Sequence, residues 1–206
     1  MSPELFAGAR GSGNPELEPR VNSSESSGLV GVGGVFGVIY ADPPWAYNES
    51  GGNSTNRVVS GKYSTMQIED LCALKVPAAE NSVLYLWATA PRLPEAMMLI
   101  EAWGFRYKTH AIWDKEKEGL GYWFRGRHEL LMVATRGKVS PPAPELRISS
   151  VVRCTRGLHS RKPDYVRDMI AKWFPDERRL EMFTRIKVHG WEPFGNQIET
   201  DLLSNL

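Results

Sequence analysis

One junction constrains this chain more than any other: Val35-Phe36-Gly37-Val38-Ile39-Tyr40-Ala41 runs straight into Asp42-Pro43-Pro44-Trp45. The apolar run has the length and the Val, Ile and aromatic content of a buried strand. Pro43 and Pro44 carry no N–H and cannot continue a ladder, so the strand must stop at Asp42. A carboxylate and a large aromatic are thereby fixed on a stiff turn at a strand's carboxyl end. In an open α/β sheet, ligands bind at that end. The competing reading is a proline-rich ligand for another domain, or an ordinary turn. Proline ligands sit in polar stretches, whereas this one follows a core strand. Burial discriminates: Ile39 and Tyr40 belong to the core if the turn is a site.

The rest of the chain alternates strands and helices. After Trp45, the polar stretch from Ala46 to Arg57 is long for a connection and suits a mobile lid, with Tyr47 in it. Ser64 opens a short helix as a capping box with Gln67, through Ala73. Ser82–Ala88 is a second buried strand. A helix with Pro94 in its first turn turns Leu93, Ala96, Met97, Ile100 and Trp103 to one face and ends at Gly104. Strands follow at Tyr107–Trp113 and His128–Ala134, separated by the aromatic, glycine-containing segment Gly119–Arg127. Residues 137–160 read as irregular. Pro163 opens a last helix with Val166, Met169, Ile170 and Trp173 inward, and Leu180–Arg185 is a final strand. This pattern predicts an α/β domain with a mostly parallel sheet. Neither Gly-x-Gly-x-x-Gly nor a Walker loop is present, which disfavours a standard dinucleotide or NTP site.

Residues 1–34, rich in Gly, Ser, Pro and Glu, read as a disordered tail before a folded domain over 35–201. Cys72 and Cys154 match no metal or redox spacing, so no metal is expected and a reducing compartment is. The longest apolar stretch is too short and glycine-rich to span a membrane, and it lacks a basic flank; a cytoplasmic protein is expected. The net charge is +1 but unevenly placed. From Arg106 to Lys187 there are 19 Lys and Arg against 10 Asp and Glu, leaving 6 against 14 elsewhere. A basic half points weakly to a polyanionic partner.

Asp-Pro-Pro-Trp after a strand resembles the signature of adenine N6-methyltransferases, in the family that includes the catalytic subunit of the eukaryotic mRNA adenosine methyltransferase. Further segments resemble its bacterial and phage branch in order: Tyr63-Ser64-Thr65-Met66, Val83-Leu84-Tyr85-Leu86-Trp87, Ala102-Trp103-Gly104-Phe105, Gly119-Leu120-Gly121-Tyr122-Trp123, Leu131 to Gly137, His159 to Pro163, and Gly195-Asn196-Gln197. The resemblance covers Phe36 to Ile198. It implies a Rossmann-like methyltransferase fold using S-adenosylmethionine. With the catalytic motif first and the cofactor motifs last, the order is that of a circularly permuted methyltransferase.

The chemistry accounts for the tetrapeptide on its own terms. An adenine amino nitrogen is a weak nucleophile because its lone pair is delocalised into the ring. Two acceptors aimed at its hydrogens, the Asp42 carboxylate and the Pro43 carbonyl, draw it toward tetrahedral geometry. Pro43 and Pro44 keep the turn rigid. Trp45 offers a face for an extruded base, with Tyr47 as a possible partner in the lid.

The resemblance further implies cofactor contacts at Asp42, Lys162, Arg185, Asn196 and Gln197, with Glu181 a weaker candidate. Arg125, Arg127 and Arg161, with Arg147, Arg153 and Arg156, are candidate phosphate contacts. Two departures stand out. The acidic cofactor residue that eukaryotic members carry upstream of the tetrapeptide is absent, and their His-Asn after the late arginine is Lys187-Val188 here. The expected activity is methylation of adenine in nucleic acid, DNA rather than RNA by the bacterial and phage resemblance. RNA methylation and a catalytically silent nucleic-acid-binding subunit are the alternatives.

Overall fold

The computed structural model describes residues 34–46, 65–155 and 162–194. Nearly all of the expected tail lies outside them, as do Ser64, most of the expected lid, and residues 195–201 of the expected domain. The described elements are β1 (Phe36–Ala41), α1 (Ile68–Ala73), β2 (Ala78–Ala88), α2 (Leu93–Ala102), β3 (Arg106–Asp114), β4 (His128–Arg136), β5 (Val151–Arg153), α3 (Asp164–Trp173), β6 (Arg179–Met182) and β7 (Glu192–Phe194).

The strands form one sheet in the order β5-β3-β4-β2-β1-β6-β7. β1 pairs in parallel with both β2 and β6, β6 with β7, and β3 with β5. Only β4 runs the other way among these strands, antiparallel to β2 and β3. The α/β class with a mostly parallel sheet is therefore as expected. β1 is central although it comes first in the chain, and it is buried along its whole length.

Side-chain alternation sends the two faces of the sheet into two cores. Ile39, Ala41, Leu84, Leu86, Met132 and Leu180 pack with Leu71 of α1 and Ala96, Leu99 and Ile100 of α2. Val38, Tyr40, Tyr85, Trp87 and Leu131 pack with Val166, Met169 and Ile170 of α3. Ile39 and Tyr40 are core residues, which removes the proline-ligand reading of the turn.

Several boundaries differ from expectation for local reasons. α1 begins at Ile68, with Gln67 in the cap position and no side-chain cap bond. β2 starts four residues early, at Ala78. On α2 the inward set is Ala96, Leu99, Ile100 and Trp103, while Leu93 is exposed. A single turn of 3-10 helix at Ala90–Arg92 precedes α2, Leu93 stands at the open first turn, and Met97 is half-buried against the core. Gly104, at φ 77, caps the helix as predicted. β6 ends at Met182 rather than Arg185, because Phe183 takes φ 64 and leaves the ladder. β5 and β7 were not anticipated: three-residue edge strands carry too little periodicity to read, and Pro193 is tolerated in β7 at the sheet edge.

Candidate active site

The turn after β1 is pinned from both sides. The Trp45 N–H donates to the Pro43 carbonyl at 2.9 Å, and the Met66 N–H donates to the Pro44 carbonyl at 2.9 Å. The indole of Trp45 donates to the Trp87 carbonyl at 3.3 Å. Its ring is only 7% exposed and belongs to the core beneath α1 and α2. Trp45 is thus an internal anchor that holds the turn down. The expectation that it faces a substrate base is corrected: the turn bends its side chain toward the core, where burying so large an apolar surface is favoured. The Pro43 carbonyl keeps one lone pair, since the Trp45 N–H uses the other.

Asp42 extends β1 by one residue, on the parity of Val38 and Tyr40, and so on the face that α3 covers. Lys162 lies two residues before α3 and meets it there. The ammonium donates to Asp42 Oδ2 at 2.7 Å and lies 3.3 Å from Glu129 Oε2. It also sits over the Trp87 ring, 5.7 Å from its centroid, and Trp87 Nε1 donates to the Tyr40 hydroxyl at 2.7 Å. The Lys162 and Glu129 side chains are nearly buried, whereas that of Asp42 is 40% exposed at the open rim. Desolvation on its protein-facing side raises the Asp42 pKa against the pull of Lys162. Burial alone would lower the Lys162 pKa; Asp42 and Glu129 together outweigh it and raise it. Burial likewise holds the Tyr40 phenol well above its ordinary value, against the opposing hydrogen bond from Trp87. The result is an ionised lysine between two acids, one of which opens to solvent.

Glu129 is a residue that sequence reasoning missed. It is the second residue of β4, on the parity of Leu131 and Val133, and opposes Trp113 of β3. An acid on the inward parity of a buried strand was a readable signal. Its nearness to Asp42 was not, because that depends on β4 lying beside β2. Removing its charge with Glu129→Gln lets Asp42 ionise more readily, because a like charge raises a carboxyl pKa. The acid limb of the kcat/KM profile is expected to move to lower pH, with kcat falling roughly 10- to 100-fold as Lys162 loses one of its two holds. An unmoved limb excludes Glu129 from the site.

The remaining candidates divide. Glu181 on β6 pairs in register with Tyr40 and shares its face. Both of its oxygens accept from Arg167 Nη1, at 3.0 and 3.2 Å, and Arg167 Nη2 donates to Asp164 at 2.6 Å. It is a buried ion-pair residue before it is a cofactor contact. Arg185 is exposed just beyond β6, and its charge acts on Asp42. Arg125 is exposed. Arg127, about half exposed, clasps Asp114 through two bonds of 2.6 and 2.8 Å. Arg147 donates to the Pro142 carbonyl at 3.0 Å, and Arg153 lies exposed 3.9 Å from Asp114. Tyr47, Arg156, Arg161, Asn196 and Gln197 lie outside the described residues.

A cofactor with an amino-acid end and a sulfonium fits this rim. Asp42 offers a carboxylate to an ammonium, Lys162 an ammonium to a carboxylate, and Arg185 a donor to hydroxyls. All three stand at the carboxyl end of β1 and β6, where α/β sheets bind ligands.

Known proteins similar to this chain match it over most of its length. The family described as MT-A70 matches residues 36–197. The chain is 34% identical to the Type II methyltransferase M.MunI of a Mycoplasma species, over 79% of this chain and 78% of that protein. It is 27% identical to an N(6)-adenosine-methyltransferase MT-A70-like protein of Arabidopsis thaliana, over 90% of this chain and 27% of that one. It is 25% identical to the N(6)-adenosine-methyltransferase catalytic subunit METTL3 of Homo sapiens, over 82% of this chain and 29% of that one. The chain therefore spans well under a third of these two eukaryotic relatives.

Proposed function

The chain belongs to the MT-A70 family, and from that premise we propose that it methylates the N6 amino group of adenine in DNA, using S-adenosylmethionine. The observation that carries the reading is the Asp42–Lys162 pair, 2.7 Å apart, on a proline-stiffened turn at the rim of β1. The cofactor, when bound, supplies an electrophilic methyl on a sulfonium. The protein's part is to bind, orient and take a proton. Asp42 accepts one N6 hydrogen, and the free lone pair of the Pro43 carbonyl can accept the other. Both acceptors are held in advance, so little reorganisation remains when the bond forms. Nitrogen gains the methyl and loses a proton, for which Asp42 is the nearest base. Its raised pKa suits that task. Lys162 keeps the carboxylate ionised and aimed.

A silent binding subunit would have no use for this arrangement, since a half-open carboxylate and a buried lysine serve no fold that a leucine would not serve better. DNA is favoured over RNA because the Type II methyltransferase matches at higher identity and over most of both chains. Cys72 and Cys154 are free thiols, the state that a reducing cytoplasm maintains, and we place the enzyme there.

The test is incubation with tritium-labelled cofactor and matched DNA and RNA oligomers, followed by nucleoside analysis. Label in N6-methyldeoxyadenosine is the expected result. Label in RNA alone overturns the polymer assignment, and label in neither overturns the activity.

A further inference from the structure

With Trp45 in the core, the described residues of the turn offer no open aromatic face. Between β3 and β4 the chain presents one. Tyr122 is fully exposed, and Trp123 and Phe124 are 93% and 88% exposed. Three consecutive aromatic rings in water are unfavourable unless something covers them in use. The backbone that carries them is tightly held. Asp114 accepts both bonds of the Arg127 clasp and a third from the Glu116 N–H at 2.9 Å. The Lys115 N–H donates to the Arg127 carbonyl, and the Gly119 N–H to the Gly126 carbonyl. Any Cβ on Gly121 would collide with the Phe124 carbonyl oxygen, so the tip closes only with glycine there.

The segment also stands in the right place. β3 runs in the same direction as β1, so its carboxyl end, Asp114, lies on the rim that holds Asp42. Charged side chains join the two directly. Lys115 Nζ lies 3.2 Å from Glu129 Oε1, and Glu129 lies 3.3 Å from Lys162, which holds Asp42. Arg125 is exposed beside the rings, and the surrounding half of the chain carries the surplus of positive charge. Exposed aromatics with cations suit unpaired bases on a phosphate backbone, because every base has a face to stack.

We propose that Tyr122, Trp123 and Phe124 form a stacking finger for the bases flanking the target adenine, with Arg125 on an adjoining phosphate. The proposal rests on the nucleic-acid reading above and names the part of the protein that engages the strand. The alternative occupant of so apolar a tip is a second copy of the chain.

The test uses the full chain with a fluorescein-labelled, adenine-containing single-stranded DNA oligomer and its duplex, followed by anisotropy at low salt. Trp123→Ala is expected to weaken binding about tenfold, and Tyr122→Ala with Trp123→Ala about a hundredfold, from the usual worth of one stacked base each. Trp123→Phe restores most of the loss, and 2-aminopurine beside the target adenine loses its quenching only in the alanine variants. S-adenosylhomocysteine affinity by calorimetry stays at the parent value in all of them. Unchanged oligomer binding overturns the proposal; if sedimentation then shows a parental dimer lost in the variants, the finger serves contact between copies. A parent that binds oligomer through these rings but transfers no methyl overturns the activity and leaves the finger standing.

Discussion

Replacing Asp42 with alanine is expected to lower single-turnover methyl transfer by at least about a thousandfold while leaving the fold intact. Loss of one preorganised polar group aimed at developing charge costs about 100- to 1000-fold in general. Asp42 also carries the proton-accepting role, so its loss sits at or beyond the upper end. The fold survives because Lys162 retains Glu129, and so no buried charge is left alone. Asp42→Asn keeps an oxygen acceptor but loses the base, and should fall between the parent and alanine. The parent's pH dependence provides an independent check. Desolvation raises the Asp42 pKa and activity requires the carboxylate, so the acid limb of kcat/KM lies above the ordinary carboxylate range. Lys162→Ala removes the opposing positive charge and moves that limb higher still, opposite in sign to Glu129→Gln. Near-parental activity in Asp42→Ala, or a limb that moves the same way in both charge variants, would sink the mechanism.

The second large effect concerns stability. Arg167 and Glu181 are each 8% exposed and paired through two bonds, with Asp164 as a third member. Arg167→Ala leaves Glu181 ionised and unpartnered beside Tyr40. Breaking a buried pair from one side costs about 3–5 kcal/mol. In a domain of this size that corresponds to a melting temperature lower by about 6–20 °C. The pH dependence has a definite sign. Glu181 already has a raised pKa in the folded state, because desolvation outweighs Arg167. Without Arg167 the native state holds that proton more tightly still, while the unfolded state does not. The variant's deficit should therefore shrink as pH falls from 7 toward the range where the folded Glu181 is protonated, and grow as pH rises. The double replacement Arg167→Met with Glu181→Met should recover most of the melting temperature, since a packed apolar pair can match a buried ion pair. A single variant with parental melting would show that the pair contributes nothing. Methyl transfer by the stable double variant then reports whether Glu181 also touches the cofactor.

How legible the site was from residues alone varied with the kind of signal. β1 and its abrupt stop were readable because they rest on local facts: an apolar run, then two residues with no N–H. The faces of α3 were readable because ten residues suffice to show helical period. Lys162 came from family resemblance, since nothing in its own neighbourhood says that it reaches a carboxylate 120 residues earlier. Glu129 was missed because its partners depend on strand order, which alternation does not encode. Trp45 was misread because an aromatic after two prolines looks like a surface feature. Its inward turn follows from the bridge to Met66 and the bond to Trp87, both long-range.

The central position of β1 bears on how this protein is made. Its neighbours are β2, which follows within about fifty residues, and β6, whose Met182 pairs with Ala41. At about 5–20 residues per second, roughly 7–28 seconds of synthesis separate those two residues. Through that interval the newly made strand carries Ile39 and Tyr40 with one edge unpaired, an arrangement that invites association with other nascent chains. Both the acid and the lysine it needs are encoded far apart, so a ribosome that stalls before Lys162 releases no partly working enzyme. The reactive centre can assemble only after Lys162 has been added, 120 residues behind Asp42, so the acid waits in the nascent chain for its lysine.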